Sequence, residues 1–159
     1  MHSRAKAIMS LKPSMPKTLA LAALSSFVLA CPAWSQTTSC TASTSGVAFG
    51  SYDPFSGTPL NAVGSISVSC NVSASYTLAL STGQGSFTNR SMLNGSHAMN
   101  YNLYTDSLHT QVWGDGTGAT HTVAGSGTTG SYSVYGQLPA LQNAYVGSYS
   151  DSVVVTVTF

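Results

Sequence analysis

Over most of its length this chain alternates in steps of two. Ile66, Val68 and Cys70 alternate with Ser65, Ser67 and Ser69, and Tyr76, Leu78 and Leu80 continue the pattern. Met99, Tyr101 and Leu103 alternate with Asn100, Asn102 and Tyr104. The last segment, Asp151 to Phe159, is the clearest: Val153, Val155, Val157 and Phe159 share one face, and Ser152, Val154, Thr156 and Thr158 the other. Successive side chains of a strand point to opposite faces, so this alternation predicts half-buried antiparallel strands. Weaker runs predict further strands near 47–52, 109–113, 120–124 and 132–137. Turn signals separate them, among them Asp53-Pro54, Asn94-Gly95, Asp115-Gly116 and Gly125-Ser126-Gly127. No stretch carries the 3.6-residue apolar period of a helix. Short strands with regular turns predict an all-β sandwich or barrel.

The best strand is also the last. Nothing after it in the sequence pairs with it or covers it. Proteins normally blunt an apolar edge with Lys or Pro, and this segment has neither. An earlier strand of the chain or a strand of another chain must cover it.

The first 35 residues read differently. Arg4, Lys6, Lys12 and Lys17 precede the apolar run Leu19–Leu24 and the run Phe27–Ala30, and Ala33-Trp34-Ser35 closes the stretch. A basic start, an apolar middle and a small-residue exit predict a signal peptide over 1–35, cut after Ser35, and a mature domain over 36–159. The apolar run is too short for a membrane helix, which needs about 20 residues. Val28-Leu29-Ala30-Cys31 is similar to a lipoprotein cleavage box, but Leu29 is bulky for its position, and the plain reading is that Cys31 leaves with the signal.

With that segment removed, one Arg faces four Asp, a formal −3, with no Lys and no Glu. Phosphate neutralisation needs clustered Lys and Arg, so a nucleic-acid partner is excluded. Two cysteines remain, Cys40 and Cys70, and an even pair in an exported chain predicts a disulfide. The loop it closes contributes about 3.5 kcal/mol by restricting the unfolded ensemble. No cofactor or metal is expected. His97, His109 and His121 are scattered, and Asp115 alone supplies too few ligands for calcium.

Catalysis finds little support. Asp106 lies near His109, but there is no G-x-S-x-G, and serine is too common here for a chance triad to mean anything. Asp106, Asp115 and Asp151 fit turn caps better than a glycosidase pair. No enzyme and no small-molecule substrate are expected. A glycan-binding or adhesive domain is the principal rival. Trp113, Tyr101 and Tyr104 have rings that stack on sugars, although core positions suit Trp113 and Tyr101 better. Arg90, the one basic residue after the signal, is expected to pair with an Asp or cap a loop.

Several segments in order resemble a known family. Val47-Ala48-Phe49-Gly50-Ser51-Tyr52-Asp53-Pro54 follows Cys40, and Ile66–Cys70 comes next. Then come Arg90-Ser91-Met92, Tyr101-Asn102-Leu103-Tyr104, Val112–Gly116, Tyr135-Gly136 and Gly147–Asp151 before the closing strand. Together they resemble the spore coat protein U domain, whose members include subunits of archaic chaperone–usher pili. The resemblance runs from Cys40 to Phe159. It implies an incomplete immunoglobulin-like antiparallel sandwich whose final strand a partner supplies. It implies three kinds of partner: a periplasmic chaperone, an outer-membrane usher, and neighbouring pilus subunits. Val153, Val155, Val157 and Phe159 would help line the donor-strand groove, and Cys40 and Cys70 match the family's disulfide pair. Export would lead through the inner membrane to the periplasm and then to the cell surface.

One departure stands out. Polymerising subunits carry an alternating donor segment before the first cysteine, whereas a cut after Ser35 leaves only Gln36-Thr37-Thr38-Ser39. The expectation is a minor or terminal subunit that accepts a strand without giving one, or a self-sufficient coat protein.

Overall fold

The computed structural model describes residues 36–159. The signal segment 1–35, the cut after Ser35 and Cys31 lie outside the described residues. Seven strands follow in order: β1 (Cys40–Thr44), β2 (Leu60–Leu80), β3 (Gln84–Gly85), β4 (Arg90–Asn94), β5 (His97–Tyr104), β6 (Val123–Leu138) and β7 (Val155–Thr158). The order across the sheet is β1-β2-β6-β5-β4-β3, and β7 pairs with β2 off that path. Every strand pairing is antiparallel. The architecture is an all-β sheet curled into a half barrel.

The runs at 65–70 and 76–80 are one strand. Even-numbered residues of β2 face inward throughout, burying Ile66, Val68, Cys70, Tyr76, Leu78 and Leu80. The register with β6 shifts between Ser69 and Ala74. The inward phase of β6 changes at the same place, from Val123, Gly125 and Gly127 to Gly130, Tyr132 and Val134. A bulge bends its strand and increases the local twist, so the long β2–β6 pair curls over its own inner face. At the bend the rings of Tyr76 and Tyr132 meet edge to face, with centroids 6.3 Å apart and hydroxyls 2.9 Å apart. Gly125 and Gly130 make room for them. A Cβ on Gly125 would lie 1.9 Å from the Tyr132 hydroxyl, and one on Gly130 2.2 Å from the Tyr76 hydroxyl.

Trp113 is fully buried and donates its indole N–H to the Leu78 carbonyl at 3.2 Å. Arg90 is also fully buried. Of the two roles expected it takes the loop cap, and among the described residues it makes no ion pair with an Asp. Its guanidinium donates instead to the carbonyls of Ser81 and Trp113 and to Asn102 Oδ1. Those contacts tie the loop after β2 to β4 and β5. Burial is the main force on this group and lowers its pKa from the ordinary arginine value. Cys40 and Cys70, opposite each other in the β1–β2 register, form a disulfide.

Three predicted strands differ. Residues 47–52 are extended but belong to no strand, because among the described residues no segment pairs with their backbone. Residues 109–113 form isolated bridges only. There Asp106 accepts backbone N–H bonds from Thr110 and Gln111 and holds a turn, and His109 takes a positive φ of 56°. The closing strand is short: only Val155–Thr158 pairs, and its partner is the earlier segment Thr77–Leu80 of β2.

Candidate functional site

Two extended segments face each other over the inner face of the sheet. The first runs from Thr44 to Tyr52, with Gly46 and Gly50 at positive φ marking its bends. It lies close on the sheet because glycine stands beneath it. A Cβ on Gly64 would sit 2.1 Å from the Gly46 carbonyl oxygen, and one on Gly136 would sit 2.7 Å from Val47 and 2.8 Å from Phe49. The second segment runs from Tyr145 to Val155. Ser150 exchanges two backbone bonds with Leu93, at 2.9 and 3.1 Å. Val154 accepts from the Ser81 N–H at 2.9 Å and donates to Ser81 Oγ at 2.9 Å.

Between these walls runs an apolar groove in two connected parts of about 390 and about 620 Å³. Val47, Phe49, Met92 and Tyr149 belong to both parts. Ile66, Leu80, Leu103 and Val134 floor the first part, and Met99 and Leu138 the second.

The backbone along the walls is unequally satisfied. In an extended chain the N–H and C=O of one residue point to the same side, and those of the next point to the other. Ser150 and Val154 point outward and are paired. The backbone groups of Tyr149, Asp151 and Val153 have no hydrogen-bond partner among the described residues, and neither do those of residues 47–51. Paired edges thus face away from the groove, and unpaired ones border it.

One polar cluster interrupts the apolar lining. Asp151 Oδ2 accepts the Tyr101 hydroxyl at 2.6 Å. Oδ1 accepts the N–H of Gln84 at 3.0 Å and of Ser152 at 2.6 Å. Burial, and then the bond to Asp151, raises the Tyr101 pKa well above the usual tyrosine range. Phe49 packs edge-on to Tyr101 with centroids 5.9 Å apart, so Tyr101 links one wall to the other through the floor.

The four groove residues named from sequence divide. Val153 and Val155 line the first part. Val157 is half-buried on β7, packed against the core, and Phe159 is 55 % exposed beyond it. Sequence reasoning passed over the wall Val47–Phe49 and the floor residues Met92, Met99 and Tyr101. A signal was present: Gly64 and Gly136 fall on inward positions of otherwise apolar strands, which marks a close backbone approach.

Trp113 and Tyr101 are 0 % and 5 % exposed, so neither offers a ring to a sugar. Asp106 and Asp115 cap their own loops, Asp115 accepting from the N–H and hydroxyl of Thr117. Among the described residues no three His, Cys, Asp or Glu side chains gather as metal ligands.

Comparisons with known proteins bear on this groove. The Spore Coat Protein U domain model matches residues 26–156. "Protein U" of Myxococcus xanthus is 33% identical over 127 residues, covering 70% of each chain. Among solved structures, the fold is similar to a chain of the CsuC-CsuE chaperone-tip adhesion subunit pre-assembly complex from the archaic chaperone-usher Csu pili of Acinetobacter baumannii. That likeness has a TM-score of 0.56 at 21% identity and covers 77% of this chain and 40% of the other, so this chain spans well under half of that neighbour's length. With most of its length matched by the family model and a relative at one-third identity, the chain belongs to the Spore Coat Protein U domain family.

Proposed function

We propose that this chain is a structural subunit of a surface fibre built by the chaperone–usher route, and that the groove accepts a donor strand from another polypeptide. The half barrel is then an incomplete immunoglobulin-like sandwich. A periplasmic chaperone fills it first, and the extension of a neighbouring subunit replaces the chaperone's strand at the outer-membrane usher. The observation that carries this reading is the pair of unsatisfied backbone edges bordering an apolar floor. A strand laid between them satisfies both edges and covers the floor, which is strand addition to an open sheet. Val153 and Val155 would contact it directly, with Val157 and Phe159 flanking.

The chain accepts a strand without giving one, and so sits at a minor or terminal position. A cut after Ser35 leaves four residues before Cys40. Two of them are already engaged: Asn71 donates its backbone N–H to the Ser39 carbonyl and its side-chain N–H to the Thr37 carbonyl, and its Oδ1 accepts the Ser39 N–H. Intact mass of the exported protein tests this point, and cleavage well before Ser35 would restore an arm and overturn it.

Expression in a periplasm without a cognate chaperone tests the groove. Aggregation, rescued by the chaperone or by an alternating apolar peptide, is the expected result. A soluble monomer with two-state unfolding would instead mean a self-sufficient coat protein.

A further inference from the structure

Asp151 sets a polar group into an apolar groove, and that bears on which strands the groove takes. Its carboxylate offers about four acceptor sites. Tyr101, Gln84 and Ser152 occupy three. Gly83, at a φ of +60°, lies so near that a Cβ there would fall 2.1 Å from Asp151 Oδ2, so the carboxylate is locked in place. Ser150 and Ser152 flank it on the same wall of the groove, and neither hydroxyl has a side-chain partner among the described residues. The buried Arg90 guanidinium donates to Ser81, Trp113 and Asn102 and does not touch it. An all-apolar occupant would therefore desolvate an acceptor without satisfying it, which costs more than a modest hydrogen bond returns.

We infer that the groove selects a donor strand with one inward-facing hydrogen-bond donor, a hydroxyl or amide, at the position opposite Asp151. This rests on the reading of the groove as a strand acceptor. The occupant is an extended segment with apolar residues at alternate positions, broken once by Ser, Thr or Asn. Asp151 and Tyr101 would fix its register, since a slip of two residues sets an apolar side chain on the carboxylate and the donor on Leu103 or Val134.

The test uses the full exported chain with its disulfide intact and synthetic strands of about a dozen residues, valine at each inward position. Threonine, which has the shape of valine, is placed at each inward position in turn. O-methylthreonine, which keeps the oxygen and lacks the proton, follows at the same positions. Threonine is expected to tighten binding about tenfold at one position only, with O-methylthreonine no better than valine there. Asp151→Asn should erase the difference between threonine and its methyl ether. Equal binding of the valine and threonine strands at every position, or a gain at all of them, would overturn this inference and leave the groove reading standing. Failure of every strand to bind would remove the groove reading and the inference with it.

Discussion

The two long sides of this molecule are built from the same alternation and end differently. Along β2 and β6, inward residues meet inward residues and the backbone is paired on both strands over fifteen register positions. Along the groove, residues 47–51 and the odd-numbered residues from Tyr149 to Val153 carry unsatisfied backbone edges. Even the glycines work in opposite ways. Gly125 and Gly130 close the β2–β6 side by admitting tyrosines, whereas Gly64 and Gly136 let a wall lie close on the sheet and so shape an opening. The difference lies in whether the chain supplies the neighbouring strand, and the residues themselves do not reveal it.

Changes on the closed side should cost the most. Trp113→Ala is expected to lose about 4 kcal/mol, since a fully buried ring and its bond to the Leu78 carbonyl both go. Denaturant unfolding measures this loss. Replacing Cys40 and Cys70 together by Ala should lose about 3.5 kcal/mol through loop-closure entropy. Equal midpoints with and without a reductant would contradict that figure.

Changes at the groove should cost less stability and more binding. Gly136→Ala drives a methyl into Val47 and Phe49 and is expected to lose about 2 kcal/mol. Its larger effect falls on strand capture, read by peptide titration. A variant that unfolds earlier yet binds as before would separate the wall from the site. Tyr101→Phe is the mildest, at about 1 kcal/mol, and it carries a pH signature. Burial and the bond to Asp151 hold the hydroxyl protonated in the folded chain above the usual range. The unfolded chain releases that proton from about pH 10 upward. The stability Tyr101 provides is thus fully present below about pH 10 and is lost as pH rises further. The gap between parent and variant should shrink on that alkaline limb, and a gap that stays constant as pH rises through it would contradict the assignment.

Alternation alone made the strands around Ile66, Leu78, Tyr101 and Val155 legible, because burial on one face forces a period of two. Fusion of 65–70 with 76–80 was only half legible: the even-numbered positions keep one phase through Asn71-Val72-Ser73, but only pairing with β6 on both sides of the bulge shows a single strand. The segment 47–52 has a strand's pattern and no strand's partner, so pattern predicted an element that pairing withholds. Arg90 was half legible: of the two roles expected, an Asp partner or a loop cap, the structure has the loop cap, with three oxygen acceptors from neighbouring segments. Of the groove, sequence reached the wall that ends the chain and missed the floor, because floor residues such as Met92, Met99 and Leu138 look like any core residue.

Residue-resolved amide exchange with and without an alternating strand tests the central claim most directly. In the chain alone, Ser150 and Val154 should be protected, while Tyr149, Asp151, Val153 and residues 47–51 exchange freely. On adding the strand, protection should appear at alternate residues of both walls and leave Ser150 and Val154 unchanged. Walls already protected in the chain alone, or protection confined to β1–β7 when the strand binds, would contradict the account.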